Sequence, residues 1–98
     1  MYHIKQTDTF ADWLSGLRDN KAKARIISRM DFARLGNLGD CKSVGAGIRE
    51  MRIHVGPGYR VYFIEQRKLV IFLLCGGSKS SQTKDIERAK QLALEMEE

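Results

Sequence analysis

Apolar side chains recur at helical spacing in the first third of the chain, alternate through its middle, and return to helical spacing at its end. Tyr2 to Gln6 is a short candidate strand, stopped by Thr7-Asp8-Thr9. Asp8 and Thr9 suit a helix N-cap, because a short side-chain oxygen can accept from the free N–H groups of a first turn. Phe10, Trp13, Leu14 and Leu17 follow at i, i+3, i+4 and i+7, one apolar helical face. Gly16 weakens that helix and Asp19-Asn20 interrupts it. A second helix is predicted from about Lys21 to Leu35, with Ala22, Ile26, Met30 and Ala33 as its stripe. Gly36 fits the left-handed position just past its end. Gly45 and Gly47 keep the following segment irregular to about Gly47.

Ile48 to Val55, Tyr59 to Gln66 and Leu69 to Cys75 then read as three strands, separated by Gly56-Pro57-Gly58 and Arg67-Lys68. Connections this short force antiparallel hairpins. Strand residues alternate between faces. A three-residue Gly56-Pro57-Gly58 loop sets Val55 opposite Tyr59, Ile53 opposite Val61 and Met51 opposite Phe63, an apolar face for the helices. It sets His54 opposite Arg60, Arg52 opposite Tyr62 and Glu50 opposite Ile64 on the other face, and brings Arg49 to Glu65. A one-residue slip would put polar side chains into the apolar set. A two-residue Arg67-Lys68 turn adds Val70, Phe72 and Leu74 to the core face. A last helix is predicted from about Ser81 to Glu98, with Ile86, Ala89, Ala93 and Met96 as its stripe.

The expected fold is therefore α+β: an N-terminal strand, two helices, a three-stranded antiparallel sheet and a C-terminal helix. At 98 residues, this is one domain over positions 1–98. A hydrophobic content of 43% suffices for one small core, and 30% charged residues argues against disorder. The longest apolar run, Leu69 to Cys75, is far short of the roughly 18 residues of a membrane span. Met1-Tyr2-His3-Ile4-Lys5 has no apolar signal core, so a soluble chain that stays in the cytoplasm is expected. Cys41 and Cys75 lack metal-ligand or CxxC spacing and read as reduced, structural thiols.

The net charge of +5 is unevenly placed. Residues 41–84 hold eight basic and two acidic side chains, whereas residues 85–98 hold two basic and five acidic. A basic excess on one element suits a polyanion, RNA or DNA, or else a solvated face with no ligand. Lys21, Arg25 and Arg29, at i, i+4 and i+8, carry the same two readings.

Glu50, Arg52, His54, Arg60 and Tyr62 share one face of the hairpin, and Lys79 follows the third strand within reach of them. RNA cleavage by its own 2′-hydroxyl needs a base, stabilisation of the phosphorane, and protonation of the leaving 5′-oxygen. Arginine forks and a lysine ammonium match phosphate oxygens. His54 or Glu50 could take the 2′ proton. Tyr62 could stack on a base, and Lys42 and Lys84 would extend the RNA footprint. Ordinary charged residues on a sheet surface would give the same spacing. Asp and Glu are too scarce between residues 41 and 84 for a metal constellation, and no GxxxxGK[ST] or GxGxxG is present, so no cofactor is expected.

Gly36-Asn37-Leu38-Gly39-Asp40, then Ile48-Arg49-Glu50-Met51-Arg52-Ile53, then Gly56-Pro57-Gly58-Tyr59-Arg60-Val61-Tyr62-Phe63, then Gly76-Gly77-Ser78-Lys79-Ser80-Ser81-Gln82 with Asp85-Ile86 resemble the RelE/ParE toxin superfamily, most of all its HigB-type, phage-related addiction-module killer branch. The resemblance spans nearly the whole chain. It implies a type II toxin that cleaves mRNA, typically on the translating ribosome, and is silenced by a cognate antitoxin protein. Operator DNA would be reached only through that antitoxin. The family's basic active-site positions map onto Arg52, Arg60 and Lys79. Glu50 stands where the best-known member has lysine, and the family's C-terminal catalytic tyrosine has no counterpart, Asp85 lying nearest its place. The alternative implied by the same superfamily is a ParE-like toxin that poisons DNA gyrase and is not a nuclease. A third reading is a relic or regulator whose basic face binds only antitoxin or operator DNA.

Overall fold

In the computed structural model, which describes residues 1–67 and 69–96, the order is β1 (His3–Gln6), α1 (Asp8–Gly16), α2 (Asn20–Arg34), β2 (Cys41–Gly45), β3 (Ile48–Ile53), β4 (Tyr59–Gln66), β5 (Val70–Ser78) and α3 (Gln82–Met96). A 3-10 turn, Lys79–Ser81, joins β5 to α3. The helices begin where short polar side chains can cap them. Thr7, one residue earlier than expected, caps α1: its Oγ1 accepts from the Phe10 N–H at 3.0 Å and donates to the Leu74 carbonyl at 2.6 Å. Asp19 caps α2 through the Ala22 N–H at 3.0 Å. Gly36, at φ +92, ends α2 as expected, with its N–H on the Ala33 carbonyl at 2.9 Å.

The sheet has five strands in the order β1-β5-β4-β3-β2, where three were expected. β1 lies parallel to β5, and the other pairs are antiparallel. Parallel pairing across some 60 intervening positions leaves no local mark on a four-residue strand. β2 was expected to be irregular because of its glycines. Instead Cys41, Lys42 and Ser43 pair with Met51, Glu50 and Arg49. The glycines close that hairpin: Ala46 and Gly47 sit at φ +54 and +77, the left-handed pair of a two-residue turn.

α1 and α2 cover one face of the sheet. There Phe10, Ile26 and Ala33 form a buried cluster with Met51, Ile53, Val61, Phe63, Ile71 and Leu73, flanked by Trp13, Leu17 and Met30. α3 covers part of the other face, where Ala89 and Leu92 join Ile48, Tyr62, Leu74 and Cys75.

The facing of β3 and β4 is as expected, but their register differs by two residues. Ile53 pairs with Tyr59, Met51 with Val61, Arg52 with Arg60 and Glu50 with Tyr62. A slip of two preserves every facing, so alternation could not detect it. The loop is longer than Gly56-Pro57-Gly58, running from His54 to Gly58 with Gly56 and Gly58 at φ +57 and +84. Arg49 still reaches Glu65, diagonally, at 2.8 Å.

On β5 the facing is reversed. Ile71 and Leu73 join the α1–α2 face, whereas Phe72 and Leu74 lie under α3. Gln66 pairs with Val70, so the turn holds three residues, with Arg67 at φ +50. The expected two-residue turn also involves Lys68, which lies outside the described residues. A bulge opposite Tyr62 and Phe63 then sends Leu74 and Cys75 together toward α3.

Candidate active site

The two-residue register difference decides what the polar face contains. It sets Arg52 directly opposite Arg60, two like charges at cross-strand spacing, which alone repel. The neighbouring pair supplies the counter-charge. Glu50, beside Arg52 on β3, is fully buried, with Oε1 3.4 Å from Arg52 Nε and Oε2 3.5 Å from Arg60 Nε. Tyr62 donates to Oε2 at 3.2 Å and Gln82, the first residue of α3, donates to it at 2.8 Å. Burial alone would raise the Glu50 pKa; the Gln82, Tyr62 and Arg52 hydrogen bonds and the Arg60 charge outweigh it and hold the carboxyl below its ordinary range. A buried carboxylate is tolerated only with such partners.

Beyond the end of α3's cover lies an open cleft of about 380 Å³. Arg52, His54, Arg60 and Lys79 line it with Tyr59 and the Gly56-Pro57-Gly58 loop. Arg60 is largely sunk, its side chain 14% exposed, and Arg52 less so at 31%. The Lys79 N–H donates to the Gly58 carbonyl at 2.8 Å, which fixes the segment after β5 against the hairpin loop and sets Lys79 at the cleft. The Gly58 position lies within 4 Å of both Arg60 and Lys79, so a side chain there would enter the space between them.

His54 sits in the loop rather than opposite Arg60, and its Nε2 is 2.7 Å from Asp40 Oδ2. That hydrogen bond, outweighing the small opposing effect of burial and aided by Arg52, holds the Asp40 carboxyl below its ordinary range. Asp40 is placed by its own backbone, whose carbonyl accepts from the Arg52 N–H at 2.9 Å. Arg29 clamps the same corner. Its guanidinium donates to the carbonyls of Arg52 at 2.5 Å and Leu38 at 3.0 Å. It occupies the space a Cβ at Gly39 would take, which would lie 2.8 Å from Arg29 Nη2. Arg29 is thus a structural tie and leaves the expected basic stripe; Lys21 and Arg25 remain exposed.

Two expected roles are corrected. Tyr62 is fully buried with its hydroxyl on Glu50, so it offers no ring face to a base, and burial raises its pKa. Glu50 is closed to solvent and held by Tyr62, Gln82 and Arg52, so a 2′-hydroxyl cannot reach it. The residues brought together at the cleft are Arg52, Arg60, Lys79 and His54. Lys42, opposite Glu50 on the outer strand, and Lys84, on α3, are exposed and do not line it. Sequence reasoning missed Asp40 and the part played by Gln82. The dipeptide Gly76-Gly77 was a usable signal for the latter region. A Cβ at Gly77 would fall 1.9 Å from Asp85 Oδ2, and one at Gly76 2.5 Å from Trp13, so the pair lets α1 and the start of α3 close on β5 from opposite sides.

Cys41 and Cys75 are free thiols; burial pushes the Cys75 thiol up to about 12. No helix among the described residues is long and apolar enough to cross a membrane.

No family model matches the chain. A protein of Haemophilus influenzae, described as uncharacterized, is 53% identical over 93 residues, which cover 95% of this chain and 94% of that one. Among solved structures, the isolated E. coli RelE toxin superposes with a TM-score of 0.65 at 13% identity, over 90% of this chain and 98% of that one. YafQ of E. coli superposes with a TM-score of 0.55 at 12% identity, over 84% and 98% of the two chains. A conserved hypothetical protein of Helicobacter pylori gives a TM-score of 0.50 at 15% identity, over 82% and 97%. At these identities the likeness is one of fold.

Proposed function

Because the chain belongs to the family of the Haemophilus influenzae protein and has the fold of the E. coli RelE toxin, we propose that it is itself a toxin of a type II toxin–antitoxin system, of the HigB-type branch, that cleaves ribosome-bound mRNA in the cytoplasm. The observation that carries this reading is the facing pair Arg52 and Arg60, joined at one open cleft by Lys79. A phosphodiester that enters there meets two guanidinium forks. The 2′-oxygen attacks phosphorus, His54 takes its proton, and the bond to the 5′-oxygen breaks. The products are a 2′,3′-cyclic phosphate and a 5′-hydroxyl. Asp40 orients the imidazole through its 2.7 Å contact with Nε2. Lys79 stabilises the phosphorane charge and gives its proton to the 5′-oxygen as that bond breaks. The whole sequence uses only groups of this chain. The antitoxin, which would bring any operator DNA contact, is expected to set acidic side chains against the same cluster.

The alternative, a gyrase poison without nuclease chemistry, does not call for Arg52, Arg60 and Lys79 to converge, and gains nothing from these structural neighbours. Purified protein added to ribosomes programmed with labelled mRNA tests the proposal. Cleavage yielding 5′-hydroxyl ends is expected. An intact message, with gyrase supercoiling inhibited in a parallel assay, would overturn it.

A further inference from the structure

The strands oppose two arginines and bury a glutamate one pair away, an arrangement neither hydrophobic packing nor ordinary surface chemistry requires. The glutamate touches each arginine through a different oxygen: Oε1 meets Arg52 Nε and Oε2 meets Arg60 Nε. Both contacts are to Nε, so the terminal nitrogens are not taken up by Glu50. Arg60 Nε is itself buried and has no better partner than this carboxylate at 3.5 Å. Two neutral donors, Tyr62 from β4 and Gln82 from α3, hold Oε2 from other directions. The carboxylate is therefore fixed from two further elements, β4 through Tyr62 and α3 through Gln82.

We infer that Glu50 is a positioning residue: an ionised, solvent-free counter-ion that holds the Arg52 and Arg60 guanidiniums side by side with their terminal nitrogens turned to the cleft. Its charge cancels one of the two arginines, which permits like charges to face each other across the strands without splaying. The inference concerns the arrangement of this pair, and only its rate consequence rests on the nuclease reading. It assigns Glu50 no proton transfer.

The test uses the full chain and Glu50→Gln, with Glu50→Asp as the conservative variant. Three readouts separate positioning from bulk stability and from base catalysis. The first is the nitrogen–proton NMR signal of the arginine Nε groups, which survives exchange with water only where Nε–H is held. Arg52 and Arg60 signals are expected in the wild type, lost in Glu50→Gln and recovered in part in Glu50→Asp. The second is affinity for a 2′-O-methylated oligoribonucleotide, which cannot react. It should hold or tighten in Glu50→Gln, since the site gains one positive charge. The third is mRNA cleavage on programmed ribosomes, expected to fall about a hundredfold in kcat in Glu50→Gln, the scale of a misplaced catalytic group. Should Glu50→Gln not fold, Gln82→Ala removes the 2.8 Å donor alone and must weaken the Arg60 signal in the same direction. Unchanged Nε signals in the folded variants overturn the inference, whatever the cleavage result. A wild type that gives the signals but does not cleave mRNA would leave the positioning role standing and remove the nuclease reading instead.

Discussion

The same strands build two unlike surfaces. Under α1 and α2, residues from β3, β4 and β5 meet Phe10, Ile26 and Ala33 in one apolar cluster, and every side chain there can be replaced in thought by another of similar volume. Under α3, the alternate residues of those strands start as a core, with Ile48, Tyr62 and Leu74, and end as a charged cleft, with Arg52 and Arg60. The boundary is Glu50, fully buried where the apolar cover stops. The difference shows how a domain of this size carries a charged cleft: one face supplies stability, and the other gives up its open end to charge.

Substitutions on the two faces should separate stability from activity. The largest effect is expected at Phe63, fully buried in the α1–α2 cluster. Phe63→Ala should cost about 3–5 kcal/mol in denaturant unfolding, through lost contacts and the cavity left behind. That is a large part of what a small domain has. On the charged face, Arg60→Ala takes one partner from buried Glu50 but leaves Arg52, Tyr62 and Gln82 on it, so it should cost less stability than Phe63→Ala while slowing cleavage about a hundredfold to a thousandfold, or about 2.7–4 kcal/mol in the barrier. Arg60→Lys should recover part of the rate only, since an ammonium cannot grip two phosphate oxygens at once. Comparable losses of stability in Phe63→Ala and Arg60→Ala would erase the distinction between the faces.

Between the two extremes lies the closure of α3 on β5. Gly77→Ala places a methyl 1.9 Å from Asp85 Oδ2, and that carboxylate accepts from Ser81 Oγ at 2.5 Å. The start of α3 must shift, at about 1–3 kcal/mol. Because Gln82 moves with it, cleavage should fall as well, so this change touches both properties.

Acid should act through the charged face. The Glu50 pKa is lowered from 4.5, so its contribution to stability is complete above that value and is lost as pH falls from there through the lower folded value. Below pH about 4.5, wild-type stability should decline more steeply than that of Glu50→Gln, as read by urea unfolding across the acid range. Equal slopes would show that Glu50 is not held ionised. The smallest effect is expected at the exposed lysines. Lys42→Ala or Lys84→Ala should lower the slope of log affinity for single-stranded RNA against log salt by about 0.7 each if each meets one phosphate.

The helices and the facing of β3 and β4 were legible because their apolar spacing has one solution. Ala22, Ile26 and Ala33 are buried at the spacing read from sequence, as are Met51, Ile53, Val61 and Phe63. What escaped has period-two symmetry or depends on one turn residue. A two-residue register difference is invisible to alternation, yet it exchanges Tyr62 for Arg60 opposite Arg52. One extra residue in the β4–β5 turn reverses the facing of Phe72 and Leu74, and an apolar run covered on both faces carries no alternation that could reveal it. Arg52, Arg60 and Lys79 were legible as a group, since the two arginines share one face of the hairpin and Lys79 directly follows the strand paired with it. Glu50 and Tyr62 were misread for a single reason: nothing in a strand's alternation says that α3 will cover one end of it and leave the other open. Asp40 reaches His54 through β2, and β2 was itself hidden by its glycines.

On the proposed function, the cluster around Arg60 cuts messages that ribosomes are reading. Mapping RNA 5′ ends genome-wide after expression of the wild type and of Arg60→Ala tests it most directly. The expected result is new 5′-hydroxyl ends, phased with codons and confined to translated regions, present with the wild type and absent with the folded variant. Growth arrest with double-strand DNA breaks and no phased ends, or phased ends that persist in Arg60→Ala, would contradict it.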